Sequence, residues 1–476
     1  MKVSSSVVRF PHHSHHDCPY VTKENPKSIT SRFITVFSVL GGAGFEMEEG
    51  NDNANRRVAK RSGVCFYILG FPVLLVAIII GILCNKKHVA LDREYVKTVL
   101  QRRMSYIKSK TGVDFNSEFP LFNRVSVVTG TTSGLGKEIA RELYSFGSTV
   151  YITGRSIEKI NDTIEDIKKS YPNSIGTLEV GILDTSDFDS VQDFVARYKS
   201  KHSSIDFLVN NAGIHYASYP GEYMINYHEE IRSKHGYDLA FTTNYMGHFL
   251  LTNSMLPLFN NDGNVIGRRI LNVASSYHMG SDGTMLQIKS HNSSVSHNSL
   301  PDAARTDILQ YYHRKNSYSN NKLAQILHSN ELQKRLNIDK SDLKVISTCP
   351  NWVATNIFPK TAPGQFVYRN AFPVNAAVIG PLYALLSTDI NGGEFVTNSR
   401  NFWTEQSWSP HLMRLVTKLG IRNAVTDILG MSLLMFQSYS YGPTISTSST
   451  ESKDEKLAKE LYDWTYDEFR RLGYME

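Results

Sequence analysis

In the run NSYSNNKLAQ, residues 316–325, a phenol and an ammonium stand four positions apart, Tyr318 and Lys322. On a helix that spacing stacks both side chains on one face, where they can reach a common ligand. The chemistry open to such a pair is proton transfer to oxygen. Hydride addition to a carbonyl develops negative charge on its oxygen, and a nearby acid must supply a proton at neutral pH. A free phenol, with a pKa of about 10, is poorly matched to that task, and a neighbouring ammonium favours the phenolate and lowers the value. A solvated helix face would use the same two residue types, so the elements around them decide between the readings.

From about residue 121 short apolar runs alternate with amphipathic stretches. RVSVVTG, STVYITG, IGTLEVGILD, SIDFLVNNAG, RRILNVASS and LKVISTCP read as buried strands, with KEIARELYSFG and SVQDFVARYKS as helices among them. The alternation predicts an α/β fold: a Rossmann-type doubly wound parallel sheet with helices on both faces and its ligand crevice at the carboxyl ends of the strands. The first strand runs into TGTTSGLGKEIA, where Gly130, Gly134 and Gly136 have G-x-x-x-G-x-G spacing. Glycines there permit a tight turn, close approach of a pyrophosphate and close helix packing. After the second strand Arg155 occupies the place where an acid would hold a free ribose 2′-hydroxyl. A guanidinium suits a 2′-phosphate, which favours NADP(H) over NAD(H). Asp184, beyond the third strand, either accepts from an adenine amino group or caps the next helix.

TGTTSGLG, NNAG (210–213), TTNYMGHFLLT (242–252), LNVASS (271–276) and YSNNK (318–322) follow one another in a fixed order. In these five motifs the chain resembles the short-chain dehydrogenase/reductases, most closely the membrane-anchored, retinol-dehydrogenase-like branch, over residues 121–398 and a final helix at 453–472. The resemblance implies that Tyr318 is the general acid/base and that Lys322 binds the nicotinamide ribose and favours the Tyr anion. It implies that Ser275 hydrogen-bonds the substrate carbonyl, with Ser276 as the neighbouring alternative, and that Asn244 bends a helix and holds a water of a proton relay. Cofactor contacts are implied at Gly130, Thr132, Ser133, Gly134, Leu135, Gly136, Asn211, Ala212, Gly213 and Thr355. Pro350 keeps its family position, but Asn351 replaces a Gly; Asn tolerates positive φ, so the turn is expected to survive. The residues between Ser275 and Tyr318 form an enlarged connection expected to lie outside the sheet and cover the substrate.

The whole chain carries more than this domain. Its 476 residues, 41% hydrophobic and 20% charged, have a globular composition. The net charge of +6 comes partly from clusters beside an apolar run and points to a membrane rather than to nucleic acid. Neither zinc-finger spacing nor a basic stretch interleaved with aromatics occurs, and nucleic-acid binding is not expected. Residues 1–64 read as a disordered tail, its His12, His13, His15, His16 and Cys18 as flexible residues, and no metal site is expected. Residues 65–84 contain no charge, and a helix of that length spans about 30 Å, the thickness of a bilayer's hydrocarbon core. A single transmembrane anchor is expected there, followed by a juxtamembrane segment at 85–120. Basic residues on the following side favour a cytosolic catalytic domain, and the family branch suggests the endoplasmic reticulum. Cys65 and Cys84 bound opposite ends of the anchor, so with Cys18 and Cys349 they imply no disulfide framework.

Residues 399–450 hold two apolar helical stretches read as an insertion, either a substrate cap or a membrane dock; residues 451–476 return to the main domain. The combined expectation is a membrane-anchored enzyme reducing a lipophilic ketone or aldehyde with NADPH, such as a sterol, sphingoid, retinoid-like or fatty carbonyl. The rivals are a catalytically retired nucleotide-binding scaffold, and an epimerase or dehydratase, which the glycine spacing disfavours. A homo-oligomer is compatible with the sequence and not required by it.

Overall fold

A computed structural model describes residues 105, 119–215, 232–259, 267–281, 283, 286, 317–339, 341–351, 353–357, 371, 373–399 and 441–476. The tail, the apolar run at 65–84, the juxtamembrane segment and the two apolar stretches within 399–450 lie outside these residues. Among those described, no helix is long and apolar enough to cross a membrane.

Eight strands form one sheet in the order β3-β2-β1-β4-β5-β6-β7-β8. They are β1 (Val125–Val128), β2 (Thr149–Gly154), β3 (Thr177–Ile182), β4 (Phe207–Asn210), β5 (Arg269–Val273), β6 (Lys344–Cys349), β7 (Phe395–Ser399) and β8 (Tyr441–Ser446). All six strands expected from sequence are present. β1 to β7 are parallel, with Val127 opposite Tyr151 on β2 and Leu208 on β4. The order reverses between β1 and β4, and that switch point opens the crevice at the carboxyl ends.

Two strands go beyond the sequence reading. β7 extends the sheet past β6, and β8 pairs antiparallel with β7, Val396 facing Ile445. The sheet is therefore not wholly parallel, and residues 441–446 of the stretch read as an insertion are its edge strand. Pro443 sits there because an edge strand can spare an amide donor. β7 therefore ends, and β8 begins, at the carboxyl edge of the sheet.

The helices named below are α1 (Gly134–Ser145), α2 (Ile157–Ser170), α3 (Phe188–Lys199), α4 (Gly247–Met255), α5 (Ser317–Ile338), α6 (Ile379–Leu386) and α7 (Glu455–Arg471). One face of the sheet is covered by α1, α2 and α6, whose Ile139, Leu143, Ile160 and Leu382 meet Val128, Ile152 and Ile346 from the strands. The other is covered by α3, α4, α5 and α7, through Phe194, Phe249, Leu327 and Leu461 among others. Because the strands are buried on both faces, they read as continuous apolar runs instead of alternating ones. Helix starts follow capping chemistry: Asp187 accepts from Asp189 N and Ser190 N at α3, and Asp454 from Leu457 N at α7. The final helix expected at 453–472 is this α7, docked on α5 by the Arg335–Asp463 pair and by the Arg335 guanidinium stacked 4.1 Å from the Tyr462 ring centroid.

Candidate active site

The glycine turn leads from β1 into α1. Gly130 and Gly134 have φ of +70° and +59°, a region costly for residues with a Cβ. Gly136 is required by space: a Cβ there would stand 2.5 Å from the Gly130 carbonyl oxygen and 2.4 Å from Asn211 Nδ2. Asn211 Nδ2 donates to the Thr129 carbonyl at 2.8 Å, and the Asn211 and Ala212 amides donate to Thr129 Oγ1, fixing the loop after β4 against the turn. Gly213 lies beneath Asn244, and the Thr355 methyl would stand 3.1 Å from a Cβ on Gly134, so the turn after β6 closes over the glycine loop. Asn351 adopts φ of +68°, as its replacement of a glycine requires.

These groups suit a dinucleotide. Ser133 makes no side-chain cap bond and the first turn of α1 holds no acid, which leaves amide donors and the positive end of the helix dipole for a pyrophosphate. Thr132 and Ser133 border this turn, while Leu135 is buried under it. Arg155 is 76% exposed at the end of β2, with Nη1 3.9 Å from Asp184 Oδ2, and is free to meet an added phosphate. Asp184 Oδ1 accepts from the Ser186 amide and hydroxyl, so it closes the turn before α3, whose cap is Asp187; its other oxygen faces Arg155.

The four residues expected to carry the chemistry come together at the carboxyl ends of β4 and β5 and the start of α5. Tyr318 is in the first turn of α5, near enough to the Ser275 side chain for Ser275 to favour its phenolate. Ser275 is half-buried and opens a short 3-10 turn, accepting from Tyr277 N. Its neighbour points elsewhere: Ser276 is buried with Oγ 3.0 Å from Cys349 Sγ, which resolves the choice in favour of Ser275. Tyr277 and His215 flank the Tyr318 ring at centroid distances of 5.8 and 4.7 Å. Lys322 is buried one turn later, its ammonium donating to the Val273 carbonyl and to Gln325 Oε1, each at 2.8 Å.

One expectation needs correction. The Lys322 ammonium lies 5.5 Å from the Tyr318 ring centroid, and its two hydrogen bonds run to other groups. Burial therefore dominates. It pushes the phenol up, with the Cys349 thiol adding to the rise and the Ser275 side chain opposing it, while Lys322 falls from 10.5 to about 7. In the protein alone the phenol is thus held protonated rather than acidified.

Asn244 is joined to Lys322 through Gln325. It sits in a π-helical turn, Thr242–Met246, consistent with the expected bend, and its side chain clamps Ile214 through Ile214 N to Oδ1 (2.8 Å) and Nδ2 to Ile214 O (3.0 Å). Its main-chain carbonyl accepts from Gln325 Nε2 at 2.8 Å and lies 3.0 Å from His248 Nδ1. These contacts tie the π-helical turn to α4 and α5.

Gln325, His248 and His278 are supporting residues that sequence reasoning missed. His278 joins the Ser275 carbonyl, 2.6 Å from its Nδ1, to the Ser449 amide, 3.0 Å from its Nε2. Among the described residues the candidate metal-ligand cluster, Asp187, Asp189 and His235, already holds the Lys234 ammonium at 2.6 and 2.8 Å.

Buried imidazoles give the domain a pH dependence. Burial drives His248 and His278 to about 4 and His328 to about 3. These folded-state values lie below the 6.5 of a free imidazole, so as pH falls from 6.5 toward 4 the unfolded chain takes protons that the folded chain refuses. Stability present above pH 6.5 is lost in that window, by about 1.4 kcal/mol per pH unit for each histidine. Melting temperature should fall steeply between pH 6.5 and 5; a flat profile would show that these rings are solvated.

With this geometry in view, the comparisons with known proteins agree. A family model described as short chain dehydrogenase matches residues 124–285. Short-chain dehydrogenase TIC 32 B, chloroplastic, of Brassica napus is 28% identical over 309 residues, 62% of this chain and 87% of that protein. Polyprenol dehydrogenase of Danio rerio is 29% identical over 307 residues, 62% of this chain and 84% of that protein. Retinol dehydrogenase 12 of Bos taurus is 29% identical over 221 residues, 46% of this chain and 59% of that protein. Residues 124–285 thus match the short-chain dehydrogenase/reductases, a family of oxidoreductases that use NAD(P)(H), and the chain is similar to members of the retinol-dehydrogenase-like branch.

Proposed function

We propose that this protein is a membrane-anchored, NADPH-dependent reductase of lipophilic ketones or aldehydes, with the reverse alcohol oxidation using the same groups. The observation that carries the reading is the gathering of Ser275, Tyr318 and Lys322 at the carboxyl ends of the strands, in the fold that also sets the glycine turn there. When bound, the nicotinamide supplies the hydride. Arg155 and the first-turn amides of α1 would hold its phosphates, and the Lys322 ammonium its ribose. Ser275 orients the carbonyl oxygen by hydrogen bonding, and Tyr318 delivers the proton to that oxygen. A phenol kept protonated is suited to donate, which supports the reductive direction.

The names of the polyprenol and retinol dehydrogenases support a lipophilic substrate, as does the apolar run at 65–84. Endoplasmic reticulum, with the catalytic domain cytosolic, is the placement that fits these relatives and the basic residues following the run.

NADPH oxidation by the full-length chain in detergent micelles, assayed against a panel of long-chain, sterol and isoprenoid carbonyls, tests the reading. Turnover with at least one lipophilic carbonyl is expected, and none with NADPH bound would support the retired scaffold. Arg155→Ala should lower the preference for NADPH over NADH by about tenfold or more, the value of a charge-assisted phosphate contact. An unchanged ratio of kcat/KM for the two cofactors would remove Arg155 from that role.

A further inference from the structure

We propose that Gln325 is a positioning residue of the catalytic centre, its buried amide clamping the Lys322 ammonium to the main-chain carbonyl of Asn244 and thereby setting where and at what pH Lys322 carries its charge. The inference rests on the reading of Lys322 as a cofactor-binding ammonium and deepens it.

Gln325 is 2% exposed, one turn beyond Lys322 on α5. Its amide orientation is fixed by chemistry. Oε1 must face the ammonium, since the NH2 end would set donor against donor, and Nε2 then faces Asn244 O, 2.8 Å away. This carbonyl belongs to the π-helical turn Thr242–Met246. The same carbonyl is held from the other side by His248 Nδ1, and His248 Nε2 lies 2.9 Å from Thr129 Oγ1. Thr129 has one hydroxyl hydrogen and two acceptors in reach, His248 Nε2 at 2.9 Å and the Val209 carbonyl at 3.3 Å; with the nearer one taken, Thr129 donates to Nε2 and His248 donates from Nδ1. Thr129 Oγ1 in turn receives the Asn211 and Ala212 amides.

A continuous buried chain thus runs from the ammonium to the loop after β4. Its hydrogens converge on Asn244 O from both sides, so it is a brace and not a proton wire. Protons consumed at Tyr318 must then return from the crevice side, not through the π-helical turn.

A neutral amide oxygen favours the ammonium without adding charge. The ionisable groups facing Lys322 are Tyr318 from its own helix, Cys349 from β6 and His248 from α4, and all remain in the variants below. Gln325→Leu removes the acceptor, so the Lys322 midpoint should fall. Gln325→Glu supplies a carboxylate, and the midpoint should rise by about one unit or more.

Two readouts on the full-length chain follow the shift. The first is NADPH affinity by fluorescence titration between pH 5.5 and 9, without any carbonyl substrate. The second is the Lys322 midpoint from competitive trace acylation read by mass spectrometry. The alkaline limb on which affinity weakens should move down in Gln325→Leu and up in Gln325→Glu, with affinity at pH 8 falling about tenfold or more in the leucine variant. Opposite shifts are not produced by loss of packing. Shifts in the same direction, or an unmoved limb and midpoint in Gln325→Glu, would overturn the proposal even if Gln325→Leu fails to fold. Because neither readout needs turnover, failure to find a carbonyl substrate leaves the Gln325 result standing.

Discussion

Tyr318→Phe is expected to abolish carbonyl reduction while leaving NADPH binding within about twofold of the unsubstituted chain. The substitution removes one oxygen from a ring whose edges are held by His215 and Tyr277, so packing is retained. What is lost is the proton donor beside Ser275. General acid catalysis by a placed side chain contributes about 10²–10⁴-fold. Loss of the oriented carbonyl contact adds to that, so kcat should drop by at least about a thousandfold with the cofactor Kd little changed. Retention of more than a tenth of kcat would move the proton donor to another group and end the assignment.

The result also bears on the direction of reaction. Because burial raises the phenol and lowers Lys322 to about 7, the free protein presents an acid at neutral pH. Alcohol oxidation needs the phenolate, which the burial of Tyr318 disfavours. The oxidative rate should accordingly gain more from alkaline pH than the reductive rate does.

Much of this was legible in the sequence because it depends on local spacing. The first six strands show as apolar runs, Gly130, Gly134 and Gly136 mark a turn, and Asn351 could be read as a residue able to take positive φ. Other features depend on contacts between distant residues. The π-helical turn around Asn244 has no spacing signature, and Gln325 reaches its carbonyl across 81 positions. The phenol's shift followed from burial, whereas the motif alone suggested that charge would win. β7 and β8 escaped notice because FVTNS is short and follows a glycine pair, and YGPTIS carries a proline tolerated only at an edge. Their pairing across residues 400–440 shows that a long insertion can separate adjacent strands.

Gly136→Ala should damage both stability and cofactor binding, though it adds a single methyl to a helix where alanine is otherwise preferred. The methyl would lie 2.5 Å from the Gly130 carbonyl oxygen, which belongs to the turn itself, and 2.4 Å from Asn211 Nδ2. Moving Asn211 breaks its bond to the Thr129 carbonyl, and moving Gly130 opens the turn that faces the pyrophosphate. Overpacking of this kind costs about 1–3 kcal/mol, and the displaced turn should weaken NADPH binding by about tenfold or more. Gly236→Ala provides the comparison: its φ is +86° but nothing lies within 4 Å of the added carbon. That variant should lose about 1–2 kcal/mol from backbone strain and keep its NADPH affinity. Equal affinity losses in the two variants would mean that the glycine turn has no particular link to the dinucleotide, and the cofactor assignment would fail with it.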